Sequence, residues 1–160
     1  MREGVNPLHW LWGSLIILLI DQFTKTSLEA SLQSRHVLEL LPVLNLALAH
    51  NTGAAFSLFA SASGWQRWFF SVLAIVISGV LVAWLRQLRP GAILEPMAIV
   101  CILGGALGNL LDRIRFGYVV DFIQVHWHEW YFPTFNIADS AITLGAGLLI
   151  IDALFLRKTA

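Results

Sequence analysis

Two aspartates stand where a carboxylate is costly. Asp121 sits in Val119-Val120-Asp121-Phe122-Ile123, with no basic residue nearer than Arg115. Asp139 sits in Phe135-Asn136-Ile137-Ala138-Asp139-Ser140, at the head of an apolar run. A carboxylate in apolar surroundings is expensive unless it takes up a proton or finds a partner. Two at one site can divide the work, one ionised as a base and one protonated as an acid. Their spacing of 18 residues leaves enough chain for the two to meet. Taken alone, Asp139 reads equally well as a structural carboxylate favoured by a helix dipole, with Asn136 as the cap.

Other polar residues stand in apolar runs. Asp21 and Lys25 have i,i+4 spacing, so they share a helix face and can pair. A helix-end ion pair, with Lys25 reaching towards the interface, is preferred here to direct chemistry. Gly105, Asn109, Asp112 and Arg113 fall at i, i+4, i+7 and i+8, a single polar stripe. Gly104 and Gly108 form a small-xxx-small pair that permits close helix approach. Interhelical hydrogen bonding accounts for Asn109. It accounts less well for Arg113, whose guanidinium needs an anion or several carbonyls. Asn136, Asp139 and Thr143 share a face.

His126, His128 and Glu129 lie close together, but no further ligands stand at metal spacing, so no metal is expected. No Ser-His-Asp or Ser-Lys spacing is present. Cys101 lies within an apolar helix and reads as a small hydrophobe. His50 reads as a hydrogen-bonded structural residue.

The elements that must position these groups follow from composition. Of 160 residues, 58% are hydrophobic and 12% charged, against about 45–50% and about 25% in soluble domains. Ten basic residues balance ten acidic ones, so no net field draws polyanions, and no nucleic-acid partner is expected. One Cys excludes a disulfide framework. A spanning helix needs about 20 mostly apolar residues. Four windows qualify, at about 8–28, 65–85, 94–113 and 135–156. They predict a single integral membrane domain over residues 1–160, all-α and polytopic.

An even number of spans puts both termini on one side. Five basic residues fall on each side (Arg2, Arg86, Arg89, Arg157 and Lys158 against Lys25, Arg35, Arg67, Arg113 and Arg115). Counting Lys25 and Arg113 as site residues tips the balance. The dense Arg157-Lys158 tail then marks the cytoplasmic face. Two longer connections, about 29–64 and 114–134, lie opposite. The first holds Val43 to Ala49, apolar but too short to span, which predicts a short strand and turn at the interface. The second carries Trp127, Trp130, Tyr131 and Phe132, which belong at headgroup depth.

Five blocks in order resemble the lipoprotein signal peptidases (signal peptidase II), bacterial intramembrane aspartyl peptidases. They are Asp21-Gln22-Phe23-Thr24-Lys25, Asn51-Thr52-Gly53-Ala54-Ala55-Phe56, Gly104 to Asn109 continuing to Asp112-Arg113, Val119 to Phe122, and Phe135 to Ser140. The resemblance covers nearly the whole chain. It implies that Asp121 and Asp139 are the catalytic dyad. It implies that Asn51, Gly53, Gly105, Asn109, Arg113, Asn136 and Ala138 line or support the substrate site. Asp21, Lys25 and Asp112 would be structural near it. It further implies four transmembrane helices, cytoplasmic termini, a small extracytoplasmic β-cradle and a mobile surface loop or helix over the site. The implied location is the bacterial cytoplasmic (inner) membrane, among membrane lipid. The implied substrate is a diacylglyceryl-modified prolipoprotein cut just before the lipidated Cys. The implied inhibitors are of the globomycin type, and no cofactor is expected.

Two rival classes remain for the residues alone. A proton-coupled transporter also uses membrane carboxylates, but predicts polar sites near mid-membrane and an internal repeat. Here the polar blocks cluster at one end of the spans and no repeat is visible. A non-enzymatic scaffold explains Gly104 and Gly108 but gives no reason for Asp121.

Overall fold

The computed structural model describes residues 6–32, 37–53, 64–89 and 91–156. A 3-10 turn at Pro7–Trp10 leads into α1 (Leu11–Leu32). Then follow β1 (Val37–Leu41), β2 (Leu44–Asn51), α2 (Trp65–Gln87), α3 (Leu94–Arg115), β3 (Val119–Trp127), β4 (Trp130–Tyr131) and α4 (Ile137–Ile151). A wider π turn, Asp152–Leu156, continues α4. The protein is mostly helical with one small antiparallel sheet. Ala54, Ala55 and Phe56, and the tail residues Arg157 and Lys158, lie outside the described residues, as do Arg2 and Arg35.

Among the described residues three helices are long and apolar enough to cross a membrane: α2, α3, and α4 with its extension to Phe155. At about 1.5 Å per residue, the 23 residues of α2 reach across a hydrocarbon core of about 30 Å. The expected fourth, α1, has 22 residues but carries Asp21, Lys25 and Glu29 from its midpoint onward. Over its first four turns the polar Ser14, Asp21 and Lys25 are buried while Leu15, Ile16, Leu19, Ile20 and Phe23 are exposed; Thr26, Ser27 and Ser31 near its end are exposed. Apolar outside and polar inside is the reverse of a water-soluble helix.

The helix α3 is the central one, packed against α1, α2 and α4. Its glycines make this possible. A Cβ on Gly104 would lie 2.8 Å from Ile17 of α1, and one on Gly105 would collide with the Ala138 carbonyl of α4. Gly145 returns the fit from α4, where a Cβ would stand 2.6 Å from the Ala98 carbonyl. An apolar cluster of Leu81, Leu85, Ile99 and Leu103 joins α2 to α3 towards the opposite end from the polar residues.

The sheet has the order β1-β2-β3-β4. The strand expected around residues 43–49 is β2, hairpinned to β1 through Pro42 and Val43. The 114–134 connection is also largely strand, which periodicity did not predict. The first four residues of β3, Val119 to Phe122, are all buried, so no apolar–polar alternation marks them. Pairing of β2 with β3 sets Ala49 opposite Asp121 and Asn51 opposite Val119. The aromatics Trp127, Trp130 and Tyr131 are exposed on the β3–β4 hairpin.

Candidate active site

One backbone contact brings the two aspartates to the same place. Phe135 pairs with Ile123 of β3: its N–H donates to the Ile123 carbonyl at 3.0 Å, and its carbonyl accepts the Ile123 N–H at 2.8 Å. The next residue, Asn136, is extended and caps α4. Its Oδ1 accepts the Asp139 N–H at 2.9 Å, and Asp139 Oδ2 accepts the Asn136 N–H at 3.2 Å. This reciprocal capping box satisfies two otherwise free helix-end donors and holds Asp139 at the third helical position.

The same Asn136 reaches across to β3. Its Nδ2 donates to Asp121 Oδ1 at 2.7 Å, and lies 3.2 Å from both the Val120 carbonyl and Asn109 Oδ1. Asn51, from the end of β2, donates to Asp121 Oδ2 at 3.1 Å. Asn109, from α3, donates to Asp139 Oδ1 at 2.8 Å. Three amides from three elements therefore aim N–H groups at the two carboxyls. Asp121 is 2% exposed. Burial first, and the Asp139 carboxylate second, push its carboxyl from the ordinary 3.8 up to about 7; Asn51, Asn136 and Lys25 pull the other way. Near neutral pH the Asp121 carboxyl is thus divided between its two protonation states.

Behind the pair lies a buried charged cluster. Lys25 ion-pairs with Asp21 and with Asp112, each at 2.8 Å, and donates to Asn109 Oδ1 at 2.9 Å. Asp21 Oδ1 accepts the Ala138 N–H at 2.9 Å, and Asp112 Oδ2 accepts the Val120 N–H at 3.2 Å. Each carboxylate thus holds the backbone of the residue just before one of the two aspartates.

Arg113 donates to the Gly53 carbonyl at 2.9 Å, and its guanidinium carbon lies 5.2 Å from the centre of the Phe70 ring. Gly53 in turn donates its N–H to Asn51 Oδ1 at 3.0 Å, a local turn at the end of β2. Gly105 admits Ala138, which is fully buried, against α3.

All the residues singled out from the sequence for this site fall in this one region. His126, His128 and Glu129 do not: His126 stacks on Tyr131 at 5.2 Å, out on the β3–β4 hairpin. Among the described residues no group of three His, Cys, Asp or Glu side chains gathers to hold a metal. His50 lies 3.2 Å from Glu29 and 4.3 Å from the Tyr118 ring. Two contributors went unassigned. Gln22 donates to Asp112 at 2.8 Å and lies 3.2 Å from Asp21 and 3.3 Å from the Gly108 carbonyl. Phe70 receives Arg113. The hint for Gln22 was an amide next to a charged residue within an apolar helix.

The geometry defines a class: a helical membrane protein with two carboxyls held by amides at the junction of a helix bundle and a small sheet. The family model described as Signal peptidase (SPase) II matches residues 14–155. The chain belongs to the signal peptidase II family, and so is a membrane peptidase. Among curated relatives, a lipoprotein signal peptidase of Pseudomonas aeruginosa (strain UCBPP-PA14) is 49% identical over 159 residues, covering 98% of this chain and 94% of that one. A lipoprotein signal peptidase of Acinetobacter baumannii (strain ATCC 17978) is 51% identical over 153 residues, covering 96% and 87%. Two solved structures, each described as a bacterial membrane enzyme, are 32% identical, with TM-scores of 0.84 and 0.83. The first covers 96% of this chain and 92% of its own, the second 98% and 99%.

Proposed function

We propose that this chain is an intramembrane aspartyl endopeptidase with Asp121 and Asp139 as its catalytic dyad. It removes the signal peptide from diacylglyceryl-modified prolipoproteins, cutting just before the lipidated Cys. The observation that carries this reading is the joint hold of Asn136 on both aspartates, with the Asp121 carboxyl poised near 7.

In this reading one ionised carboxyl takes a proton from a water held between the two. The protonated partner hydrogen-bonds the scissile carbonyl oxygen, a gem-diol forms, and a proton passes to the leaving amine. The low-dielectric setting and the closeness of like charges keep one proton on the pair near neutral pH. Asn51, Gly53, Gly105, Asn109, Arg113, Asn136 and Ala138 line or support the substrate site, with Arg113 and the amides orienting the substrate backbone. Asp21, Lys25 and Asp112 are structural near it. The substrate's acyl chains stay in lipid beside the helices.

The chain forms one integral membrane domain with α1 as a fourth spanning helix, which its exposed apolar face supports. Both termini lie in the cytoplasm. The sheet and the dyad lie at the extracytoplasmic face of the bacterial inner membrane, and globomycin-type inhibitors occupy the site.

The test is cleavage of a diacylglyceryl-modified prolipoprotein in detergent, comparing the parent with Asp121→Asn and Asp139→Asn. Folding is checked by binding of globomycin. Both variants are expected to fold and to be inert. Near-parent activity in either one sinks the dyad, and an inert parent sinks the substrate assignment.

A further inference from the structure

Lys25 is a buried cation set between two carboxylates, Asp21 and Asp112, and the carboxyl pair. It is 3% exposed, and each of its three ammonium hydrogens has an acceptor: Asp21, Asp112 and Asn109. The contact with Asn109 has a consequence. An ammonium cannot accept a hydrogen bond, so it fixes which end of the Asn109 amide faces it. The oxygen turns to Lys25, and the N–H group is thereby aimed at Asp139, 2.8 Å away. A single polarised amide separates the buried positive charge from that carboxylate, and polarisation along such a chain strengthens both bonds.

The backbone couples the same cluster to the pair a second time. Through Ala138 and Val120, the two carboxylates that clamp Lys25 hold the chain just before Asp139 and just before Asp121. Among the described residues, the charged groups facing this region are Asp21 and Lys25 from α1, Asp112 and Arg113 from α3, Asp121 from β3 and Asp139 from α4. From β2 the facing group is the neutral Asn51, and His50 pairs away with Glu29 at the exposed edge.

We infer that Lys25 is a positioning residue that sets the pH at which the Asp121–Asp139 pair holds one proton, acting through Asn109. The inference rests on the dyad reading above and goes beyond a structural role for Lys25. Its charge opposes the upward push that burial exerts on Asp121. A cation behind the pair favours proton loss. Removing it therefore moves both limbs of the pH–rate profile to higher pH.

The experiment is the pH dependence of kcat/KM for diacylglyceryl-prolipoprotein cleavage in detergent. Lys25→Gln, which keeps an N–H donor and drops the charge, is expected to shift both limbs up by about one pH unit. Lys25→Arg is expected to retain the parent's limbs. Asp112→Asn removes a counter-charge and is expected to shift the limbs down. Where Lys25→Gln fails to fold, Lys25→Met, which drops the same charge, takes its place, because Asp112→Asn shifts the limbs by its own charge whether or not Lys25 acts. A lower rate with unmoved limbs, in whichever of Lys25→Gln and Lys25→Met folds, overturns the inference and leaves Lys25 merely structural. Activity surviving in Asp121→Asn or Asp139→Asn is a separate failure, of the dyad itself.

Discussion

Asn136 donates its carboxamide N–H to Asp121 across 2.7 Å while capping the helix that carries Asp139. One small residue therefore ties the two acidic groups to each other, alongside the helix packing that seats α4. Asn136 is itself fully buried, and its backbone follows directly from the Phe135–Ile123 pairing, so neither end of the link is free to drift.

Asn136→Ala should separate the pair. The lost cap costs about 1 kcal/mol of stability. The larger effect is on rate, since a misplacement of about 1 Å at a reacting group lowers turnover on the order of 100-fold. Thermal unfolding in detergent and kcat for prolipoprotein cleavage check this together. A variant with a normal kcat would show that the dyad holds its geometry without Asn136.

The helix contact at Gly105 is a separate support. A Cβ there would collide with the Ala138 carbonyl and stand 2.8 Å from Ile142, so α4 must move and carry Asp139 with it. Gly105→Ala should destabilise by about 1–3 kcal/mol, although Ala is the better helix former. Cleavage should fall with it. Gly147 lies on the same helix as Asp139, and a Cβ there meets nothing within 4 Å. Gly147→Ala should melt no lower than the parent and cleave normally. Equal behaviour of the two variants would mean that the α3–α4 contact does not position the site.

Asp121 links stability to pH with a definite sign. Its carboxyl keeps a proton up to about 7 in the folded protein, against an ordinary 3.8. Between those values the unfolded chain binds fewer protons than the folded one, so stability falls as pH rises. The full contribution is on the order of 4 kcal/mol at most. Asp121→Asn removes it, so the variant should be more stable than the parent at pH 8. That advantage should fade as the pH is lowered towards 4. Melting temperatures in detergent across this range report it, and a pH-independent difference would contradict the burial of an ionisable Asp121.

Much of the site was legible in the sequence because membrane insertion makes polar residues conspicuous. Asp21, Asn109, Arg113 and Asp139 each interrupt an apolar run; the first three turn out to be buried and Asp139 half-buried, each beside its partners. What brings Asp121 to Asp139 was not legible. The Phe135–Ile123 pairing joins backbones, and backbone pairing between distant segments leaves no mark on side-chain periodicity. The strand β3 escaped for a related reason, since its first half is buried on both faces and shows no alternation. For α1 the difficulty was reversed. Glu29 and its polar neighbours weaken the apolar signal, yet the helix continues to Leu32.

The proposed role of Arg113 in substrate positioning can be tested while leaving Asp121 and Asp139 intact. Its guanidinium donates to the Gly53 carbonyl at 2.9 Å and lies over Phe70, while its Nε is buried with no hydrogen-bond partner among the described residues. In the proposed reading, this planar fork offers a further N–H to a substrate carbonyl and keeps its orientation by resting on the ring. Lysine keeps the charge but has neither the fork nor the flat face. A lost hydrogen bond to a charged group is worth about 1.5–3 kcal/mol, so Arg113→Lys should lower kcat/KM about 10- to 100-fold. The loss should fall mainly on KM, because the carboxyls and their amides are untouched. Steady-state kinetics with a diacylglyceryl-modified prolipoprotein separate the two parameters. A loss confined to kcat would place Arg113 with the reacting groups, and parent-like kinetics would remove it from the site.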